Sequence, residues 1–277
     1  MKKIAGVVIL YNPSIIVIDN IKTYVNDLDV LYVVLNSKIN NNSIYRYIKN
    51  EEKIHVIKHN ENEGIAKSLN EVLKLVENKY IWLLTMDQDS AFASDTVYDY
   101  LSIVNDVDES IVYGITSKIT CNQIIKSSDK YDYIDRCITS GMIVNVNIAI
   151  ESGGFCEDLF IDEVDYEFCY RVNDKGYGLV RYPHKIMQHF IGNEKTYSIL
   201  GYKFASDNES YFRLYYIYRN CLYVMREYPH TRKKYMWALL KRTIKIIIAE
   251  DDKMRKIKYI LKGIKAFFFN KMGKLQE

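Results

Sequence analysis

The stretch Tyr80-Ile81-Trp82-Leu83-Leu84-Thr85-Met86, followed at once by Asp87-Gln88-Asp89, decides the reading of this chain. The apolar run is too short for a packed helix and carries the aromatic and β-branched residues of a buried strand in a parallel sheet. Carboxylates at the carboxyl end of such a strand stand where open α/β sheets bind ligands. One residue apart, Asp87 and Asp89 can both reach a divalent cation and the phosphates or sugar attached to it. Two solvated turn aspartates would look the same locally, so the segments on either side have to decide.

Upstream, strand and helix patterns alternate. Lys3 to Leu10 (KIAGVVIL) predicts a first buried strand closed by the Tyr11-Asn12-Pro13 turn, and Ile15 to Leu28 has helical spacing. Val30 to Leu35 predicts a second strand, followed by a polar loop from Asn36 to Ser43. Lys53 to Lys58 predicts a third strand and Gly64 to Val76 a helix, opening just after Asn60-Glu61-Asn62-Glu63. This alternation gives a doubly wound parallel sheet with its ligand edge at the carboxyl ends of the strands. After Asp89 the rhythm loosens: helix over Asp95–Val104, extended chain over 111–119 and 138–146, helix over Asp165–Asn173, and extended chain over 177–182. The first half is expected to bind one substrate and the looser second half to finish the site.

A chain of 277 residues, 48% hydrophobic and 26% charged, can bury a full core and has ordinary globular composition. Five widely spaced cysteines with no Cys-x-x-Cys argue for a reducing compartment and against a disulfide framework or zinc site. No apolar run is long enough to span a bilayer, and the amino-terminal stretch is too short for a signal sequence, so a cytoplasmic protein is expected. The net charge of +3 hides an asymmetry. From Arg232 to Glu277 there are fourteen Lys/Arg against four Asp/Glu; the rest holds the remaining 24 basic and 31 acidic residues of the totals, 38 and 35. A basic tail on an acidic body suggests an anionic partner for the tail.

A second acidic cluster, Phe160-Ile161-Asp162-Glu163-Val164-Asp165-Tyr166-Glu167, runs into Phe168-Cys169-Tyr170-Arg171. If a helix begins near Asp165, its first turn stabilises the ionised carboxylate. That carboxylate, facing a cleft, can act as a general base toward a hydroxyl; simple helix capping by acidic residues is the other reading. The preceding Gly153-Gly154-Phe155 reads as a flexible elbow that brings the backbone near a ligand.

In this order the segments resemble the inverting family 2 glycosyltransferases of GT-A fold, most strongly their bacterial rhamnosyltransferase branch. The resemblance is carried by Val8-Ile9-Leu10-Tyr11-Asn12-Pro13, by Asn62-Glu63-Gly64-Ile65-Ala66 with Asn70, and by Asp87-Gln88-Asp89-Ser90. It continues through Ser140-Gly141-Met142-Ile143, then Gly153-Gly154-Phe155 leading to Asp165, His189 with Gly192, and Tyr215-Tyr216 with Arg219-Asn220, over roughly the first 220 residues. It implies an α/β GT-A fold, a doubly wound and mostly parallel sheet with a basic helical appendage at the carboxyl end. The catalytic domain would span 1–228, divided into a nucleotide-binding half (1–90) and an acceptor half (91–228), with the tail over 229–277.

The roles it implies are specific. Asp87 would touch the nucleotide and Asp89 would hold Mg²⁺ or Mn²⁺ against the sugar diphosphate. Tyr11 and Asn12 would line the nucleotide pocket, with Asn62 and Gly64 near base and ribose. Asp165 falls where this family has its catalytic base. One departure stands out: the family usually ends its second strand in an aspartate, whereas this strand ends in Leu35-Asn36-Ser37. Asn36 can still hydrogen-bond a pyrimidine edge, but the choice between uridine and thymidine is left open. His189 would complete the metal site or contact the diphosphate, although a histidine beside aromatics also serves structurally. Arg219, after Tyr211, Tyr215, Tyr216 and Tyr218, reads either as an exposed arginine on a packed aromatic helix or as a fork on phosphate.

The implied donor is dTDP-L-rhamnose, with a UDP-hexose as the alternative. The implied acceptor is a lipid-linked saccharide or oligosaccharide, in bacterial surface polysaccharide synthesis. In the tail, apolar stripes from Tyr235 to Phe269 interleave with lysines, and Glu250-Asp251-Asp252 marks a break between two helices. Such helices lie on anionic membrane surfaces, which would make the protein peripheral at the inner face of the cell membrane. They also pack on a catalytic domain or on another subunit of a homo-oligomer. Nucleic acid is not expected, because no groove-reading or RNA motif accompanies the charge. Two other readings compete: a phosphotransferase of the haloacid dehalogenase type, whose Asp-x-Asp usually follows the first strand, and a non-catalytic nucleotide-sugar-binding protein.

Overall fold

Short β-branched runs and amphipathic stretches alternate along the chain, and the central runs become strands with both faces covered. The computed structural model describes residues 2–93, 96–119, 131–189, 195–199, 202–206 and 208–276, with the backbone alone at 118–119, 183–186, 188–189, 195–199 and 202–206. The chain forms two compact units, Met1–Glu157 with Asp165–Phe190, and Asp158–Val164 with Ile191–Glu277.

The first unit begins β1 (Ile4–Leu10), α1 (Val17–Lys22), β2 (Val30–Leu35), α2 (Asn42–Asn50), β3 (Ile54–Lys58), α3 (Ile65–Val76) and β4 (Trp82–Asp87). It continues with β5 (Ser90–Phe92), α4 (Val97–Ser102), β6 (Val112–Ile119), β7 (Asp132–Ile134), β8 (Met142–Asn145), α5 (Val146–Glu151), α6 (Val164–Asp174) and β9 (Gly178–His189). Among the described residues these strands make one sheet in the order β3-β2-β1-β4-β8-β6-β9-β5, with β7 added against β9. The four strands β3, β2, β1 and β4 are all parallel. β8 enters antiparallel to β4, and β6 and β9 run parallel beyond it.

Alternate residues of the central strands face opposite layers. Val8, Leu10, Leu31, Val33, Trp82 and Leu84 form one core with Val17, Ile21, Ile44, Ile48 and Tyr100 of α1, α2 and α4. Val7, Val34 and Leu83, of the opposite parity, are buried as well, on the side where α3 and α5 meet β1 and β8. Burial on both faces makes these strands continuous apolar runs. The polar stretch expected as a loop from Asn36 to Ser43 is shorter than that: Asn41 accepts from the Ser43 and Ile44 amides and starts α2. The extended segment expected over 138–146 contracts to β8, because Gly141 turns with φ +73° and only then does the chain join β4.

The second unit contains the hairpin β10 (Lys195–Ile199) and β11 (Tyr202–Ser206), then α7 (Tyr211–Glu227), α8 (Arg232–Ile248) and α9 (Lys253–Phe268). The break falls at the acidic triplet, as its charge pattern suggests. Glu250 is buried there in an ion pair with Lys256 at 2.7 Å, and Lys256 also donates to Asn208. α9 packs on α7 so closely that a Cβ at Gly263 would collide with the Tyr215 main-chain carbonyl. A backbone obstacle of this kind cannot be relieved by a rotamer change. Gly263→Ala is therefore expected to lower the unfolding free energy by roughly 1–3 kcal/mol, read as a lower urea midpoint. An unchanged midpoint would show that the two helices are not held this close.

Candidate active site

Parallel strands end at one edge, and β1, β2 and β4 end there together: Leu10 pairs with Leu35, and Ile9 with Asp87. The residues just past these pairs are tied across the edge. The Gln88 side chain accepts from the Tyr11 amide at 2.9 Å and donates to the Tyr11 carbonyl at 3.1 Å. The Gln88 carbonyl accepts from Asn20 at 2.9 Å, and the Asn12 amide donates to Ser37 Oγ at 2.7 Å. Tyr11, Asn12 and Asp87 therefore lie at one edge, and Gln88, read only as the spacer between two aspartates, is the clamp. Tyr11 is 50% exposed, Asp87 half-buried and Asp89 exposed. Beside them a cleft of about 490 Å³ is lined by Asn12, Pro13, Lys38, Asn40 and Asn41. Lys38 was missed from the sequence because one lysine in a polar loop carries no pattern.

Asn36 faces inward. Its Nδ2 donates to the Gly64 carbonyl (3.0 Å) and Ser68 Oγ (3.1 Å), and its Oδ1 meets His59 Nδ1 at 2.6 Å. The other His59 nitrogen meets Glu71 at 2.7 Å. Gly64 opens α3 with φ +84°, its amide donating to Asn62 Oδ1 at 2.9 Å. Asn62, Gly64 and Asn36 thus form one network that fixes the start of α3.

After Asp89 the chain enters β5, where Ser90 pairs in register with His189. The His189 side chain lies outside the described residues. Ser90 Oγ accepts from Ser140 Oγ at 2.7 Å, the Gly141 amide donates to the Thr85 carbonyl at 2.8 Å, and Tyr100 donates to the Gly141 carbonyl at 2.5 Å. Asp165 stands in the first turn of α6, its Oδ1 accepting from the Tyr166 amide at 2.9 Å. The Cys137 thiol is pushed up by its hydrogen bond with Cys169, then by burial, and further by the charge of Asp165. The segment 137–141 is thus within electrostatic reach of Asp165 at one end and hydrogen-bonded to Ser90, next to Asp89, at the other.

The Gly153-Gly154 turn is not the flexible elbow expected. Asn70 binds both the Phe155 amide (2.7 Å) and carbonyl (2.9 Å), and Arg171, paired with buried Glu167 at 2.8 Å, donates to the carbonyls of Ser152 and Gly154. A Cβ at 154 would stand 2.5 Å from Asn70 Oδ1, so the glycine there serves close packing at φ +69°. The turn fastens α5 to α6 and to α3.

Asp87 and Asp89 offer hard carboxylate oxygens, the donor type for Mg²⁺ or Mn²⁺. Among the described residues no group of three His, Cys, Asp or Glu side chains gathers as a complete cage. Two carboxylates at an open edge suit an ion whose remaining positions are filled by substrate phosphates and water.

Residues 25–155 match the family described as glycosyl transferase family 2. Over that segment the chain is similar to family 2 glycosyltransferases. It is 27% identical over 241 residues to the dTDP-rhamnosyl transferase RfbF of Shigella flexneri, covering 81% of this chain and 80% of that one. In fold it is similar to the crystal structure of GalNAc-T7 with UDP, GalNAc and Mn²⁺ (TM-score 0.61, 12% identity, 97% of this chain). The chain spans 56% of the length of that protein. It is likewise similar to S. aureus TarS 1-349 (TM-score 0.53, 13% identity), covering 96% of this chain and 72% of that one. The α/β sheet with C-terminal helices is thus the GT-A architecture. The Asp-x-Asp here follows the fourth strand, not the first, which disfavours the phosphotransferase reading.

Arg219 belongs to the second unit, and neither sequence reading describes it. It is fully buried, with Nη1 donating to the Gly273 carbonyl (2.6 Å), Nη2 to the carbonyls of Asp158 (3.1 Å) and Leu159 (3.0 Å), and Nε to Asn220 (2.8 Å). The fork expected on phosphate holds main-chain carbonyls instead, and Asn220 extends the grip to Leu159, Ile161 and Asp162. An ammonium lacks the planar array of donors that this arrangement uses. Arg219→Lys is expected to destabilise the protein by about 2–4 kcal/mol, measured by urea unfolding. Full stability would mean these carbonyls find other donors.

Proposed function

We propose that this chain is a metal-dependent inverting glycosyltransferase that moves L-rhamnose from dTDP-L-rhamnose to a lipid-linked or oligosaccharide acceptor in bacterial surface polysaccharide synthesis. The observation that carries the donor is the 27% identity to the rhamnosyl transferase, which spans most of both chains. The cleft beside Asn12 and Lys38 receives the nucleotide, with Tyr11 exposed at its edge. Asp87 contacts the nucleotide, and Asp89 holds the divalent ion against the diphosphate. When bound, that ion offsets the charge of the departing nucleoside diphosphate.

Asp165 is the general base, with His189 assigned to the metal or diphosphate. The Asp165 carboxylate accepts the proton of the acceptor hydroxyl as that oxygen attacks the anomeric carbon. The leaving group departs from the opposite face, so one displacement inverts the configuration. A UDP-hexose is the second reading, favoured by the S. aureus TarS structure with UDP-GlcNAc.

Titration calorimetry with dTDP and UDP, each with and without Mn²⁺, tests the donor. Tight metal-dependent dTDP binding is expected, and preference for UDP would replace rhamnose by a hexose. Asp165→Asn should retain dTDP binding while transfer falls by about 10²–10⁴-fold. Asp89→Ala should remove the Mn²⁺ dependence. Wild-type transfer in the first variant, or retained Mn²⁺ dependence in the second, would dismiss the assigned role.

We assign the tail to an anionic membrane surface. No helix among the described residues is long and apolar enough to cross a membrane. Along α8, however, Met236, Trp237 (62% exposed), Leu240, Ile244, Ile247 and Ile248 form one exposed stripe, with Lys241 and Lys234 beside it. Such a face enters the interfacial region while its lysines attract anionic lipid. Flotation with phosphatidylglycerol vesicles should recover the wild-type protein and lose Trp237→Glu/Ile244→Glu. Equal recovery of both would remove α8 from the contact.

A further inference from the structure

Past the pair Ile9 and Asp87 the ladder between β1 and β4 stops, because the chain turns at Gln88 and Asp89 and enters β5 at Ser90. The Gln88 carboxamide carries the pairing one step further. It accepts from the Tyr11 amide and donates to the Tyr11 carbonyl, satisfying the two groups that a further strand residue would otherwise meet. We propose that Gln88 is a positioning residue that couples the divalent ion at Asp89 to the nucleotide in the cleft beside Asn12. This deepens the proposed function and rests on that reading for the ion and the nucleotide.

The two ends of the link are held unequally. At the turn the main chain is anchored on both sides of Asp89. The Gln88 carbonyl accepts from the side chain of buried Asn20 at 2.9 Å, and the Phe92 amide donates to Thr23 Oγ1 at 3.1 Å. Both anchors come from α1 and the threonine that ends it. At the other end Tyr11 is 50% exposed, and Asn12 stands in the left-handed region at φ +46°. The Asn12 amide reaches Ser37 Oγ at 2.7 Å, and Asn12 lines the cleft. A segment outside the strands is placed by whatever its polar groups hold, and the Tyr11 amide and carbonyl hold Gln88. With an ion on Asp89 the turn keeps fewer arrangements, and through Gln88 so do Tyr11 and Asn12. Ordering imposed by the first ligand then costs the second nothing further, so each tightens the other by the same factor.

The test is titration calorimetry of the full chain with dTDP and with UDP, each with and without Mn²⁺. The quantity read is the factor by which Mn²⁺ tightens the nucleotide that the wild type binds better. Gln88→Met keeps the length of the side chain and removes both hydrogen bonds, whereas Gln88→Asn keeps the amide and is one methylene too short. In both, the factor should fall by about threefold or more, with melting temperatures equal to that of the wild type. Lys53→Met removes two side-chain hydrogen bonds at the opposite, amino end of the strands, to the carbonyls of Asn26 (2.6 Å) and Leu28 (2.7 Å). It should leave the factor unchanged. A merely structural role for Gln88 would lower the melting temperature and spare the factor. An unchanged factor in both Gln88 variants, an equal fall in Lys53→Met, or wild-type nucleotide binding indifferent to Mn²⁺ would overturn the proposal and leave the nucleotide site standing. Binding of neither nucleotide by the wild type would overturn the proposed function along with it.

Discussion

Everything at the candidate site depends on the parallel pairing of β2, β1 and β4. Parallel hydrogen bonding sends all three carboxyl ends to one edge, so residues far apart in sequence arrive together without long loops. Register sets the detail. With Ile9 opposite Asp87 and Leu10 opposite Leu35, the first residues free to leave the sheet are Tyr11, Asn36 and Gln88. A one-residue slip of β4 would turn its buried set to the other face and also carry both aspartates out of place. The Gln88 amide then closes the edge by binding one residue's N–H and C=O together. Only a side chain with a donor and an acceptor on one plane can do that, which is why the spacer between the two carboxylates is not a neutral position here.

Asn36 shows how a substitution at a ligand edge redistributes contacts. Its two N–H donors go to Gly64 and Ser68, and its oxygen to His59 and Ser68. An aspartate could offer neither donor, so the Gly64 carbonyl at the start of α3 would keep only the Ser68 hydroxyl, at 2.7 Å, of the two donors it has here. The amide is thus committed to holding α3 and has no donor left to turn toward a base. The groups that remain at the edge are exposed ones, Tyr11, Asn12 and Lys38, lying in segments of strongly polar or turn character.

The sequence made the sheet legible because burial on both faces demands unbroken apolar strands, and three such runs precede Asp87. It made the acidic break between α8 and α9 legible for the opposite reason, since three carboxylates together cannot continue an amphipathic face. The three-residue strands β5 and β7 left no periodic signal. α2 was hidden because only Ile44 and Ile48 of its residues are buried and asparagines dominate its start. At the edge, the sequence reading singled out residue types that announce chemistry, and it passed over Gln88, Lys38 and the His59–Glu71 pair, which act by position. The Gly-Gly turn misled for a related reason. Glycine marks close approach of the backbone to something, and the sequence does not say that the something is Asn70.

Arg219 makes the same point at higher energetic stakes. A guanidinium recognises a planar fan of oxygens, and a phosphate and a cluster of main-chain carbonyls both supply one. Tyrosines upstream fit either case, because arginine stacks on aromatic faces wherever it is held, and here it lies 5.0 Å from the Tyr216 ring centre and 5.4 Å from that of Tyr215. What separates the two is burial. A phosphate-binding arginine must keep a path to its ligand, whereas this one is enclosed with its nitrogens all donating inside the unit. A buried cation without a carboxylate is tolerable only when carbonyl dipoles surround it. The carbonyls of Asp158, Leu159 and Gly273 do so, and in return the segments that carry them lose their freedom to move. The charge that sequence reading assigned to a substrate is instead the fastening of residues 158–159 to the turn at Gly273.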